Sequence, residues 1–244
     1  MLAARDLAAL IDATWPCARS FALGPFGLRE GRGGGKRVAA ASLLAQIWQD
    51  ADIADAETAM RDMGQPPLFA IWPDLAGHLA LDAALAQRGY ESIDPCVIYY
   101  GQIDAILETI PDLSKTYPHW PPLAIGLEIW QQAGTGPARF AIMQRARGAK
   151  TAILARRRDD AAGICFVAVA QTWAMLHALE VAPQHRRQGC AQNLIARAAH
   201  WAKAEGAVYL ALVVTQANDA ARALYQKIGM VQIGRYHYRQ LGNI

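Results

Sequence analysis

The chain has 244 residues, 53% apolar and 18% charged, which is enough for one large or two small cores and too apolar for a disordered protein. No apolar run approaches the ~20 residues that span a bilayer, and acids sit among the apolar positions at the start, unlike a secretory leader. No membrane contact is therefore expected, and the cytoplasm is the expected compartment. Net charge is only +3, yet residues 101–244 hold 16 Lys/Arg against 9 Asp/Glu, while residues 1–100 hold 8 against 12. That basic second half suits a polyanionic ligand, and equally a nucleic acid.

Residues 5–15 read as an amphipathic helix ended by Pro16. Residues 26–30 and 36–41 flank the glycine cluster 31–35 and read as a β-hairpin. An acidic helix is predicted over 50–62, and Pro66-Pro67 precedes an apolar strand at 68–72. A helix over 79–88, Gly89-Tyr90 and a strand to about residue 100 follow. The order strand, helix, Gln-Arg-Gly-Tyr is echoed from Tyr209 to Met230 as strand, helix, Gln-Lys-Ile-Gly-Met at closely similar spacing, which suggests a diverged internal duplication. The first copy lacks any arginine-glycine turn and has Ala86 near the place of Tyr225.

Four prolines (111, 118, 121 and 122) resist regular structure over 101–122 and mark a linker. A helix with Trp130 is predicted from 123 to about 134, and a second over 140–147. Three strands, 151–158, 163–170 and 172–182, then form an antiparallel meander. Arg156-Arg157-Arg158 reads as a solvated strand end. Cys17, Cys96, Cys165 and Cys190 lie far apart with no CxxC or His/Cys cluster, so neither a metal site nor a disulfide framework is expected.

The organising stretch is 175–191, MLHALEVAPQHRRQGCA. An apolar strand stops at Pro183, two arginines follow, and Gly189-Cys190-Ala191 opens an alanine-rich helix. Such a turn makes an anion site: the first N–H groups of the helix lack intrahelical acceptors, the dipole is positive there, and small residues admit a ligand. An ordinary βα turn with solvated arginines is the alternative. Residues 208–214, VYLALVV, then read as a strand buried on both faces. In the next helix Asn218 and Tyr225, seven residues apart, share a face with Ala221 between them. Cys190 reads as a small space-filler rather than a nucleophile.

Arg186-Arg187-Gln188-Gly189-Cys190-Ala191 resembles the (Arg/Gln)-x-x-Gly-x-(Gly/Ala) pyrophosphate loop of the GNAT-type N-acetyltransferases. Asn218-x-x-Ala221-x-x-Leu224-Tyr225-x-Lys227-x-Gly229-Met230 is similar to the helix that follows it in that superfamily. The detailed match covers 172–239. The resemblance implies an α/β (α+β) fold, a mixed, mostly antiparallel twisted sheet with flanking helices. A degenerate GNAT-like half (1–110) and a linker (111–122) would precede the catalytic domain (123–244). It implies acetyl transfer from acetyl-CoA to a primary amine, of a small molecule or of a protein or peptide, by direct attack in a ternary complex. Acetyl-CoA would be the cosubstrate, with no metal and no nucleic acid.

The resemblance also assigns roles. Arg186, Arg187, Gln188, Gly189, Cys190, Ala191 and Gln192 would hold the pyrophosphate. Leu179 and Val181 would line the pantetheine arm beside a strand splayed from 208–214, with the Leu179 N–H facing the thioester oxygen. Asn218 would bond the pantetheine or cap its helix, and Tyr225 would be the general acid. Strand alternation puts His177 on the face of Leu179 and Val181, and Glu180 on the other. His177 is preferred as base over Glu180, with water-mediated deprotonation also open. The two helices near 123–147, with Tyr117 and Trp120, would shape the acceptor side. A non-catalytic acyl-CoA-binding regulator is the rival reading. The acceptor and the oligomeric state are not legible.

Overall fold

Residues 2–108 and 115–242 are described by the structure, a computed structural model. Helix α1 (Ala4–Thr14) is followed by the strands β1 (Arg19–Leu23) and β2 (Phe26–Glu30), a short helix α2 (Lys36–Ala39) and β3 (Ala41–Leu43). Then come α3 (Asp50–Asp62), β4 (Leu68–Ile71), α4 (His78–Gln87), the long strand β5 (Tyr90–Gln102) and α5 (Ile103–Glu108). Strand β6 (Thr116–His119) opens the second part. Helices α6 (Ala124–Gln132) and α7 (Pro137–Arg145) lead to the meander β7 (Lys150–Arg157), β8 (Asp160–Ala170) and β9 (Trp173–Val181). The chain ends with α8 (Cys190–Ala204), β10 (Tyr209–Thr215), α9 (Asp219–Lys227) and β11 (Val231–Leu241).

The described strands form one eleven-stranded sheet, in the order β1-β2-β3-β4-β11-β5-β10-β9-β8-β7-β6. Pairing is antiparallel except at β3–β4 and β9–β10, which are parallel. The two parallel pairs lie symmetrically about the central β11–β5 pair. In strand order and direction about that centre, β3 corresponds to β9, β4 to β10, and β5 to β11. The last strand of each part is thereby inserted against the other part: β11 pairs with β4, and β5 pairs with β10.

Apolar side chains fill both faces. On one, α3 and α4 bury Ile53, Ala56, Met60, Leu81 and Leu85 against β2, β3 and β4. On the same face of the second part, α8 presents Leu194, Ile195, Ala198, Ala199 and Ala202 to the sheet. Its alanines let the helix lie close, and each fully buried Leu or Ile contributes about 1.5–3 kcal/mol. The opposite face is covered by α1, through Leu7, Leu10 and Ile11, and by α6 and α7 through Trp130, Ile142 and Met143.

Two expectations change. The hairpin is β1–β2, turning at Gly24-Pro25, and residues 36–39 wind into α2 instead of pairing across the glycine cluster. The cluster is a packing crossover: a Cβ on Gly34 would stand 2.5 Å from Ile142 Cδ1 on α7. Within 101–122, Thr116–His119 adds to the sheet as β6, an outermost strand where Pro118 removes no needed ladder donor. Pro111 lies outside the described residues.

Candidate active site

The sheet opens where β9 and β10 part. Their parallel pairing runs from Trp173↔Tyr209 to Leu176↔Leu212, although β9 continues to Val181 and β10 to Thr215. A cleft of ≈ 530 Å³ occupies this end, with Leu179 and Val181 on one side, residues 185–187 and 189–192 across its end, and Ala221, Leu224 and Tyr225 of α9 on the other; Gln188, expected among the ligand-holding residues, does not line it. Ala182 N–H donates to Ala162 on β8 at 3.0 Å, so alternation turns the N–H and C=O of Val181 away from β8 and into the gap.

The turn before α8 is shaped for an anion. Arg187 (φ 59°) and Gly189 (φ 84°) are left-handed, and no side chain caps the helix. The first intrahelical bond given by the turn is Asn193 N–H to Gly189 O, 3.0 Å. The N–H groups of Cys190, Ala191 and Gln192, ahead of it, have no helical acceptor and line the cleft. Three side chains brace the turn: Arg186 Nε to Val181 O (3.1 Å), Gln188 Nε2 to Gln184 O (3.0 Å) and Arg157 Nη1 to Gln188 O (3.2 Å). Arg157 thus ties the end of β7 to the loop, a role that its place in a run of arginines did not reveal. Burial raises the Cys190 thiol pKa, with Arg157 working the other way; the side chain fills space beneath the helix start.

A bulge in β9 corrects the expected alternation. Cys165 of β8 faces two residues, Ala178 and Leu179, and Ala178 has φ 47°. An extra residue reverses the phase of the strand. His177 therefore lies on the α1 face, opposite the Leu179 and Val181 side chains. It is 3% exposed, with its ring 4.9 Å from Trp15 and 6.2 Å from Phe166. Thr14 Oγ1 donates to Leu10 O (2.8 Å), so His177 Nε2–H donates to Thr14 Oγ1 (3.0 Å) and Nδ1 faces Arg37 Nη1 (3.4 Å). Burial first, and Arg37 second, hold its pKa well below the ordinary value. Both ring nitrogens are committed to this interior network, and His177 is not among the cleft residues.

Trp130 holds the bulge. Its Nε1–H donates to Ala178 O at 2.7 Å, satisfying a carbonyl that the irregular ladder frees. Trp130→Phe should cost about 1–3 kcal/mol of stability by orphaning that carbonyl. The check is a urea titration; an unmoved midpoint would refute it.

Tyr225 is 7% exposed, with its ring 5.8 Å from that of Tyr99. Burial, reinforced by Cys165 and Glu180, raises its pKa to about 12. Asn218 caps α9, its Oδ1 accepting from Ala221 N–H at 3.1 Å, which is one of its two expected roles; it does not line the cleft. Glu180 is half-buried on the face toward α7 and, like His177, is not among the residues that line the cleft. Burial raises its pKa, against the opposing pull of Arg186 and Arg139. Trp120 packs against Phe140 and Phe166, with Lys150 Nζ 5.0 Å above its ring.

Residues 112–230 match the family model described as Acetyltransferase (GNAT) family. Along nearly its whole length the chain is similar to the "Uncharacterized N-acetyltransferase YobR" of Bacillus subtilis (strain 168), with 29% identity over 248 residues, covering 96% of this chain and 97% of that one. The fold is similar to that of a GCN5-related N-acetyltransferase from Kribbella flavida (TM-score 0.70, 16% identity, 100% of this chain and 97% of that chain). It is also similar to a tandem GNAT protein from the clavulanic acid biosynthesis pathway (TM-score 0.59, 16% identity, 84% of this chain and 76% of that chain).

Proposed function

Since the chain belongs to the GNAT acetyltransferases through residues 112–230, we propose that it moves an acetyl group from acetyl-CoA to a primary amine, by direct attack in a ternary complex. The observation that carries this reading is the meeting, in one cleft, of an uncapped helix N-terminus, a parted strand edge and the Tyr225 phenol. Acetyl-CoA supplies the acyl group activated as a thioester. The N–H groups of Cys190, Ala191 and Gln192, with Arg186 and Arg187, would take its diphosphate, because the positive end of α8 and two guanidiniums answer that charge. The Val181 edge would pair with the pantetheine amides.

Three groups remain for the chemistry. The Leu179 N–H is the proposed donor to the carbonyl oxygen as negative charge grows on it, a type of contact worth about 3 kcal/mol of barrier. Tyr225 stays protonated at neutral pH and donates to the departing sulfur. Glu180 is the proposed base, directly or through a water, with His177 held out of reach by the bulge. Since only ionised Glu180 accepts a proton, activity should fall as pH drops through its raised pKa. In Glu180→Gln that acid limb of the kcat/KM profile should disappear along with about 10²-fold of the rate. An unchanged profile in the variant would remove Glu180 from the mechanism.

The first part of the chain fits a diverged copy of the same half with its cofactor site lost. Where α8 is uncapped, α3 carries Asp50 and Asp52 in its first turn, and Asp52 accepts from the Gln49 N–H at 2.7 Å. Carboxylates there repel a diphosphate. The proposed setting is the cytoplasm, where four unpaired thiols stay reduced. The deciding experiment combines calorimetric titration of acetyl-CoA with a thiol-release screen over small amines and peptides. No binding heat would sink the proposal; binding without turnover of any amine would favour a regulator.

A further inference from the structure

Beneath α1 lies a positive charge that no carboxylate answers. Arg37 of α2 reaches between α1 and the sheet, and it is in no ion pair within 4.0 Å among the described residues. One N–H faces His177 Nδ1 at 3.4 Å, and the Tyr236 phenol lies nearby. Its Nε–H is buried with no acceptor. Arg37 lines a small, partly open pocket of ≈ 20 Å³ with Asp12, Arg29, Trp72, Tyr236 and Tyr238, which is room for one small guest.

The local charges do not balance. Asp12 is taken by Arg29, Oδ2 to Nη2 at 2.7 Å, so two guanidiniums and one carboxylate leave one positive charge over. No nearby group supplies the missing anion. Burial pushes the Tyr236 and Tyr238 phenols and the Cys96 thiol up, so all three are neutral. The Tyr238 hydroxyl stands 3.5 Å from that of Tyr236, the outer limit of a hydrogen bond, and can turn to a better acceptor.

We propose that this pocket binds a small monovalent anion of chloride size, held by Arg37 Nε–H and the Tyr238 hydroxyl. A water would satisfy the donors but bring no negative charge to set against the guanidinium, whose Nε is buried. The site lies where α1 and α2 of the first part meet β11 of the second, so the anion would fasten the two parts together. It is independent of acetyl transfer.

The test uses the full chain in sodium gluconate, an anion too large for the pocket. Chloride or bromide is titrated in at constant ionic strength while the melting temperature is followed. A saturable rise is expected, absent in Arg37→Gln and with a midpoint about tenfold higher in Tyr238→Phe. Crystals soaked in bromide should show an anomalous peak beside Arg37 Nε; this and Tyr238→Phe decide the matter if Arg37→Gln does not fold. Melting indifferent to halide, a response retained by Arg37→Gln, or a pocket without the bromide peak would overturn the proposal and leave a water there.

Discussion

Tyr225→Phe should lower kcat by about 10²-fold while leaving the affinity for acetyl-CoA nearly unchanged. The ring keeps its contact with Tyr99, so only the hydroxyl is lost. With a pKa of about 12, the phenol holds its proton more tightly than an ordinary thiol, near 8.5. Outright transfer to a thiolate is therefore uphill by several units. In the proposed mechanism the hydroxyl would instead stabilise the sulfur by donating a hydrogen bond as charge develops, and pass its proton on only as another replaces it. An interaction made chiefly in the transition state appears in kcat and not in KM. Single-turnover and steady-state rates of thiol release, measured on both proteins, check this. A variant with wild-type kcat would leave the phenol as a packing residue, and the cleft as a binding site without an acid.

The parts of the cleft that the sequence made legible are local in the chain. Residues 186–192 and 218–225 carry their geometry in consecutive positions: a glycine with φ 84°, small residues at a helix start, and an Asn–Tyr pair two turns apart. His177 was misplaced because the phase of β9 is set from outside it. The bulge at Ala178 is held by the indole of Trp130, 48 positions away, and strand alternation carries no trace of that partner. The same holds for the sheet. Hydropathy marked 68–72 and 208–214 as buried strands, yet only the assembled structure reveals that β5 and β11 cross over to each other's part. Residues 36–39 failed for a related reason: the glycines before them read as a turn, whereas what demands glycine is Ile142 of α7, more than a hundred positions later.

The strand exchange has an energetic consequence. β11 pairs with both β4 and β5, and Tyr236 and Tyr238 of β11 are buried together with Trp72 beside β4. Neither part keeps a complete sheet without the other, so the cleft and the first part should unfold in one cooperative transition. Helix α7 and strand β9 rest on the first part as well, through Ile142 against Gly34 and His177 against Thr14. The first part thus helps to hold β9 in place beside the cleft.

Gln192→Glu is expected to move binding and stability in opposite directions. Gln192 is the third residue of α8 and lines the cleft, and no side chain caps that helix. A carboxylate there meets the positive end of the dipole, which should stabilise the fold by about 0.3–1 kcal/mol. The same charge would stand within about 5 Å of a diphosphate docked on these amides. At an effective dielectric of about 20 the repulsion is about 3 kcal/mol, or about a hundredfold in affinity. Calorimetric titration with acetyl-CoA and a urea titration on the same preparation read both quantities. Weaker binding by a more stable protein can come only from competition for the helix end. If affinity is unchanged while stability rises, the N-terminus of α8 is an ordinary helix start and the diphosphate docks elsewhere.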